Sequence, residues 1–229
     1  MSMVSKLLSL SGLAVLAMSS PAQAQQADRT SELYHIFNIR TDQERNTIVR
    51  SFTDALNLNT TDSQTITPLV RGAPPEKAAT FELVDPLADG RLSALGSLMG
   101  SAQAAQLKQV KCDGAVWIGN AQRNLRGSQH LRLTMCLFPY AGGYHLDVYG
   151  LDTEDKGGGI SQKLGRLMAG AVVGKPGNWT NKTIVDLLRE VRTKLGAEVS
   201  YVEGQPAFEG EPWNDEYTIM PSDKEKASR

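Results

Sequence analysis

The pattern of hydrophobic and polar positions predicts a strand at residues 32–40. Large apolar side chains occupy both of its interleaved sets of positions, with Leu33 and Phe37 in one set and Tyr34 and Ile36 in the other. A period of two residues is that of a strand. Because both sets are rich in apolar residues, we expect this strand to be buried on both faces.

A change of period at Thr41 predicts that a helix follows. Thr41 and Glu44 have the spacing of a capping box, in which each side chain binds the other's free backbone N–H. The apolar positions after them recur at helical spacing: Ile48, Val49, Phe52, Ala55 and Leu56. We expect this stripe to face the core and the helix to end at residues 57–59.

The rest of the chain contains further helical and extended patterns. Helical spacing recurs in three stretches: 87–107, 160–173, and the region from Thr180 or Asn181 to Leu195. Extended segments are predicted at 64–70, 78–84 and 197–203. Gly196 follows the last helix directly and is suited to stop it, because glycine readily adopts a left-handed backbone conformation.

The middle of the chain predicts three antiparallel strands in succession, a meander at about 108–150. Apolar and polar residues alternate strictly over 130–137, the pattern of a strand with one buried face. A turn at 139–143 leads into a third strand at 144–150, whose apolar positions keep the same alternation. We therefore expect one face of the meander to be apolar and the other polar.

The two cysteines, Cys112 and Cys136, predict one disulfide. A metal site or a redox pair are the alternatives, but the sequence has no CxxC motif and neither cysteine has a histidine at metal-ligand spacing. If the two lie directly opposite each other on neighbouring strands, Trp117 faces Leu131 and apolar side chains meet. We use that pairing as the predicted register.

Together these elements predict an α+β fold. We expect an antiparallel or mixed sheet built around the meander, with three to four helices packed on it and one disulfide. Residues 25–205 are expected to form a single domain, with a subdivision near 86–106 as the alternative. Residues 206–229 are rich in proline, glycine and charge, which predicts an extended C-terminal segment and tail.

Residues 1–24 have the composition of a cleavable export signal. Lys6 precedes an apolar run at 7–18, and Ala22 and Ala24 form a small-x-small exit before Gln25. The run is shorter than the roughly 20 apolar residues that span a bilayer. We expect an exported, periplasmic or secreted protein without a transmembrane segment in the mature chain; the alternative is a retained N-terminal helix.

Charge and composition exclude two classes of partner. The chain carries 24 Lys and Arg against 25 Asp and Glu, a net charge of −1, which becomes −2 when Lys6 leaves with the signal. Neither net charge suits binding to nucleic acid or to anionic lipid, and the sequence has no cluster of basic residues that would. A hydrophobic fraction of 41% is ordinary for a globular domain.

The polar face of the meander is the predicted binding site. The expected pairing across the second turn places three pairs side by side: His145 with Cys136, Asp147 with Thr134, and Tyr149 with Arg132. A histidine and an aspartate two residues apart on one strand face can orient an imidazole as a general base. The sequence supplies no activated nucleophile beside them. The alternative is therefore a solvent-exposed sheet face on which polar side chains pair across neighbouring strands. The predicted binding residues are Arg132, Thr134, His145, Asp147 and Tyr149.

Two other features are candidates for chemistry or binding. The glycine run at 157–159 precedes a predicted helix, as in anion-binding loops, but it lacks the last glycine of the dinucleotide fingerprint and we expect a hinge. Trp213 and Tyr217 lie in the proline-rich stretch 206–220. This stretch is either a clasp over the sheet or an exposed docking strip.

These observations predict a soluble exported accessory or binding protein without a catalytic centre. We expect no cofactor and no metal, and as partner either another envelope protein or a small ligand. The alternatives are an envelope-directed hydrolase that uses His145 and Asp147, or a subunit of an envelope assembly. A hydrolase requires a pocket over the polar face, whereas a binding protein requires only an exposed groove.

Overall fold

The strand predicted at the start of the folded part is β1 (Arg29–Arg40), and it lies inside a six-stranded antiparallel sheet. The computed structural model describes residues 29–87, 101–125, 129–154 and 176–215. The predicted export signal, the glycine run, the helix at 160–173 and the end of the C-terminal tail lie outside these ranges. The α+β class is confirmed.

The remaining elements follow along the chain in a simple order. They are α1 (Arg45–Asn59), β2 (Ser63–Ile66), β3 (Glu82–Val84), α2 (Ser101–Gln106), β4 (Gln109–Lys111), β5 (Trp117–Leu125), β6 (Gln129–Tyr140), β7 (Gly143–Glu154), α3 (Pro176–Leu195) and β8 (Glu198–Gln205). The large sheet has the order β2-β5-β6-β7-β1-β8, and β3 pairs with β4 in a separate two-stranded sheet. The outermost strands of the large sheet are therefore β2 and β8.

The main core lies between one face of the large sheet and the helices α1 and α3. The stripe predicted for α1 is confirmed, since Ile48, Phe52, Ala55 and Leu56 are buried and Val49 packs against them. The sheet contributes large buried side chains from four strands: Phe37, Trp117, Leu133, Met135, Leu137, Leu146 and Val148. Apolar area removed from water in this layer is the main stabilising contribution.

Two predictions about where helices begin are wrong, whereas the predicted ends of α1 and α3 agree with the structure. Glu44 is the N-cap of α1 but makes no side-chain capping bond, and the Thr41 hydroxyl instead accepts a long bond of 3.4 Å from the Gln43 N–H. α3 begins at Pro176 rather than near Thr180. Proline is well suited to the first helical position, because the backbone N–H that it lacks would have no partner within the helix there. Gly196 has a φ of +60° directly after α3, as the predicted stop requires.

The Cys112–Cys136 disulfide is confirmed, but the register built on it is wrong. Cys112 lies in the turn after β4, where the Ala115 N–H donates to its carbonyl, so the bond joins a loop to β6. Trp117 consequently pairs with Leu137, six residues further along β6 than predicted.

The predicted pairing of β6 with β7 is also wrong, by two residues. Asp147 lies beside Cys136 and Tyr149 beside Thr134, while His145 lies beside Phe138. The predicted strand at the start of the 108–150 unit belongs to β4, in the other sheet. Because both register errors are even, Trp117 and the side chains of β6 and β7 remain on their predicted faces.

The second face of the large sheet is covered by a thin layer of the chain's own residues. Cys112, Ala115, Cys136 and Phe138 form one buried cluster there, and Ala105, Tyr149 and Leu151 form another. Phe81 and Val110 pack against both clusters. We call this layer, residues 78–87 and 101–111, the cover.

Gly119 allows the core to close over the sheet, and this gives a first prediction. A Cβ atom at Gly119 would overlap the Trp117 indole and lie 2.9 Å from Leu56 Cδ2. We expect Gly119→Ala to lower the free energy of unfolding by about 1–3 kcal/mol, the usual cost of overpacking. Urea denaturation measures the effect, and Gln122→Ala at an exposed position of the same strand is the control. An alanine variant as stable as the parent would contradict this packing.

Candidate functional site

All five predicted site residues project from the covered face of the sheet, on β6 and β7. Arg132 and Thr134 lie on β6, and His145, Asp147 and Tyr149 lie on β7. The structure therefore brings them to one surface. Their hydrogen bonds show what each one does there.

Three of these residues bind other parts of the chain. The Arg132 guanidinium donates to the carbonyls of Gln106 (3.2 Å) and Lys108 (2.9 Å), which ties the cover to β6. The Thr134 hydroxyl donates to Asn120 Oδ1 at 3.0 Å. The Tyr149 hydroxyl donates to Glu32 Oε2 at 2.8 Å. These polar groups are thus used to attach the cover and to join neighbouring strands.

Glu32 links the sheet to the cover through charge as well. Its carboxylate accepts from Lys108 Nζ at 2.6 Å as well as from Tyr149. Burial acts to raise the pKa of Glu32, but the hydrogen bonds from Lys108 and Tyr149 outweigh it and the pKa is lowered. Burial, followed by the contact with the Glu32 carboxylate, raises the pKa of Tyr149.

Asp147 is the most unusual member of the predicted site. Its side chain is fully buried, and Oδ2 accepts from the Phe81 N–H at 3.1 Å while Oδ1 has no hydrogen-bond partner among the described residues. Burial raises the pKa of Asp147 to about 7, and the hydrogen bond from the Phe81 N–H opposes this shift. The charge of Glu203 raises the pKa further; Ile36 of β1 pairs with Asp147 on one side and with Glu203 on the other. Asp147 therefore titrates close to neutral pH.

His145 lies on the same face but has different neighbours. Its ring packs edge-on against Tyr140, with 5.2 Å between centroids, and burial lowers the pKa of His145. The Tyr140 hydroxyl in turn donates to Asn38 Oδ1 at 2.6 Å. Within the described ranges no hydrogen bond joins His145 to Asp147. The structure thus places the two side by side along β7 without orienting one by the other.

The sequence analysis did not identify His35 as a special residue, since it shares an alternate set with Leu33 and Phe37. It is buried on the helix face of the sheet, 4.4 Å from the Phe208 ring, and Nδ1 is 3.1 Å from the Tyr201 hydroxyl. Burial lowers the pKa of His35 to about 4, so the imidazole is neutral at physiological pH. Its aromatic neighbours identify it as part of the core.

The C-terminal segment packs over this part of the sheet up to residue 215. Trp213 is fully buried against Phe37, and its indole N–H donates to the Val199 carbonyl at 3.2 Å. Arg189 on α3 donates twice to the Pro212 carbonyl, at 2.9 and 2.6 Å. These contacts are those of a clasp; Tyr217 lies beyond the described ranges.

An open groove lies between the end of this clasp, the end of α3 and the start of β8. Its cavity volume is about 570 Å³. Its polar lining residues are Arg192, Glu198, Ser200, Glu211 and Asn214. Arg192 Nη1 donates to the Asn214 carbonyl at 3.2 Å, and Asn214 Nδ2 donates to Glu211 at 2.6 Å, so these walls are fixed by their own hydrogen bonds. Hereafter we call it the β8 groove.

Comparison with known proteins leaves this geometry as the basis for function. No protein-family model matches the chain, and a search among curated proteins finds no match. None of the helices in the ranges given above is long and apolar enough to cross a membrane. The same ranges hold no cluster of three or more His, Cys, Asp or Glu side chains arranged to bind a metal ion.

Proposed function

We propose that this chain is an exported accessory protein that binds a partner and has no catalytic centre. The observation that supports this most directly is the β8 groove, which is open while the polar face of β6 and β7 lies against the cover. An open concavity with fixed polar walls is what a binding protein needs. The disulfide is compatible with an oxidising compartment outside the cytoplasm.

The alternative of a hydrolase is less well supported by the contacts. It needs His145 as base with Asp147 holding its imidazole. Asp147 instead accepts from Phe81, and burial favours its uncharged form, which orients an imidazole poorly. The further alternative, a subunit of an envelope assembly, would be favoured by a large exposed apolar patch near Trp213 and Tyr217. Trp213 is buried, and Tyr217 lies outside the described residues.

The partner is expected to be another envelope protein or a small ligand, and affinity capture tests this. The tagged mature chain is incubated with the native envelope, and the retained material is identified by mass spectrometry. We expect one stoichiometric partner with the parent chain. A groove variant, Glu198→Lys with Glu211→Lys, should lose it, because both residues line the groove.

A matched control keeps the change of charge and moves it away from the groove. Asp62→Lys with Glu76→Lys alters two exposed acids in loops, and this variant should retain the partner. If the parent retains no protein and no small molecule, the proposal is wrong. Loss of the partner in His145→Ala alone would favour the polar face over the groove.

A further inference from the structure

A strap of six residues, 76–81, leads into the cover over the polar face of the sheet. It is anchored at both ends: the Ala141 N–H donates to the Pro75 carbonyl at 2.8 Å, and β3 pairs with β4 directly after Phe81. Between these anchors, residues 76–80 make no hydrogen bond to any described residue. Only Ala78 and Phe81 of the strap are half-buried, and its other residues are exposed. The strap is therefore weakly attached along its length.

Apart from the apolar contacts of Ala78 and Phe81, one buried acid holds the strap on the sheet. The Phe81 N–H donates to Asp147 Oδ2 at 3.1 Å, and Asp147 Oδ1 has no hydrogen-bond partner among the described residues. An ionised carboxylate needs several donors, whereas the closed strap supplies one. Because β7 is paired on both sides along its length, the sheet cannot move away from Asp147. Water therefore reaches this carboxyl when the strap lifts.

The strands around Asp147 offer no positive charge that could replace this water. Burial lowers the pKa of His145 and raises the pKa of Tyr149, so both neighbours on the same face of β7 are uncharged at neutral pH. On β6 the partner of Asp147 is Cys136, which is in the disulfide. Across β1 the charge of Glu203 has the same sign as that of an ionised Asp147. On β1 itself this face carries three residues that are not basic: Tyr34, Ile36 and Asn38.

The basic groups of the cover and of its attachment are engaged elsewhere or exposed. Lys108 Nζ binds Glu32 at 2.6 Å, and Arg132 donates to the carbonyls of Gln106 and Lys108. The other charged residues of the strap and of the two-stranded sheet are all exposed: Glu76, Lys77, Glu82 and Lys111. Within the part of the chain that the structure describes, Asp147 forms no ion pair. While the strap is closed, its charged form thus has only the Phe81 N–H for support.

From these contacts we infer that the strap is a pH-sensitive latch, held closed over the polar face while Asp147 is protonated and released as Asp147 ionises. Release withdraws Ala78 and Phe81 from the buried clusters of the covered face. It therefore exposes more of Phe138 and Tyr149 together with Asp147. The latch lies on the covered face and is independent of the β8 groove.

The direction of the pH dependence follows from the pKa of Asp147 in the two forms. The pKa is about 7 with the strap closed, and in the open form, where water surrounds the carboxyl, it returns towards the ordinary 3.8. The closed form therefore holds a proton that the open form releases, and closure is weakened as pH rises from about 4 to about 7. Over that range the equilibrium constant for opening should rise about tenfold per pH unit, and it should level off above about pH 7.

Exchange of the Phe81 amide, followed by NMR on the isotope-labelled mature chain, measures this opening. Its protection factor, which corrects for the pH dependence of exchange in an unstructured chain, should fall about tenfold from pH 5 to pH 6 and again from pH 6 to pH 7. In Asp147→Asn, which cannot ionise, the protection factor should change less than about threefold over the same range. His145→Gln is the matched control at the next position on this face of β7, and it should keep the slope of the parent.

The amide of Val148, in the middle of the sheet, separates opening of the strap from unfolding of the chain. At pH 7 its protection factor should be at least about a hundredfold higher than that of Phe81. Equal protection of the two amides at each pH would mean that the strap opens only with the whole sheet, and the inference would be overturned. It is also overturned by a flat profile in the parent, by an unprotected Phe81 amide at pH 5, or by the parental slope persisting in Asp147→Asn.

Discussion

Asp147→Asn is expected to stabilise the protein at pH 8 by roughly 4 kcal/mol and to leave its stability at pH 4 almost unchanged. The pKa of Asp147 is about 7 in the folded chain against an ordinary 3.8, so the folded form holds a proton that the unfolded form has already released. Stability is therefore lost as pH rises from about 4 to about 7. Asparagine keeps an acceptor for the Phe81 N–H and removes the charge that burial disfavours.

The titration of His35 determines the shape of this pH dependence. Its pKa is lowered from 6.5 to about 4, so its contribution to stability is present above pH 6.5 and is lost as pH falls towards 4. In the parent chain the two contributions oppose each other between pH 4 and 6.5 and largely cancel. In Asp147→Asn only the contribution of His35 remains, and stability should rise with pH across that window.

Urea denaturation at pH values from 4 to 8 measures both effects. The midpoint of unfolding should be nearly flat below pH 6.5 in the parent and should rise in the variant. Asp62→Asn, at an exposed loop position, is the control and should follow the parent. Parallel curves for the parent and Asp147→Asn would mean that Asp147 is not a buried, shifted carboxyl.

Trp213→Ala is expected to lower the free energy of unfolding by about 3–5 kcal/mol, as for other fully buried tryptophans. The indole packs against Phe37 and Phe208 and bonds to the Val199 carbonyl, so its loss removes the main attachment of the clasp. Water would then reach His35, and the pKa of His35 should rise from about 4 towards 6.5.

Denaturation and an NMR titration of the histidine ring test this pair of effects. Leu69→Ala is the control, because Leu69 is 83% exposed and its truncation should cost less than about 0.5 kcal/mol. A Trp213→Ala variant that is as stable as the control would contradict the clasp. A pKa of His35 that stays near 4 in a folded variant would show that other residues exclude water from the ring.

The faces of the central strands could be predicted from the sequence, whereas their register could not. Alternation over 130–137 assigns each side chain to one side of the sheet, and the structure agrees. The same alternation fits equally well when a strand slides by two or by six residues, since its period is two. Register is set by the turn, where Tyr140 pairs with Gly143, and by long-range packing that no local pattern reports.

The cover and the β8 groove show where local patterns stop being informative. β3 and β4 have three residues each, too few for a detectable period, and the cover is held by distant contacts such as that from Phe81 to Asp147. The sequence does indicate a final strand near 197–203. It does not indicate that this strand lies at the edge of the sheet, which depends on the pairing of β1 with β7 on its other side.

Hydrogen–deuterium exchange of the mature chain, alone and saturated with its captured partner, tests the account most directly. We expect slow exchange at residues 145–149 in both states, because they lie in a central strand beneath the cover. At residues 198–201 exchange should be faster in the free chain and should slow at least tenfold in the complex. Slowing at 145–149 with no change at 198–201 would contradict the account and would place the binding site on the polar face.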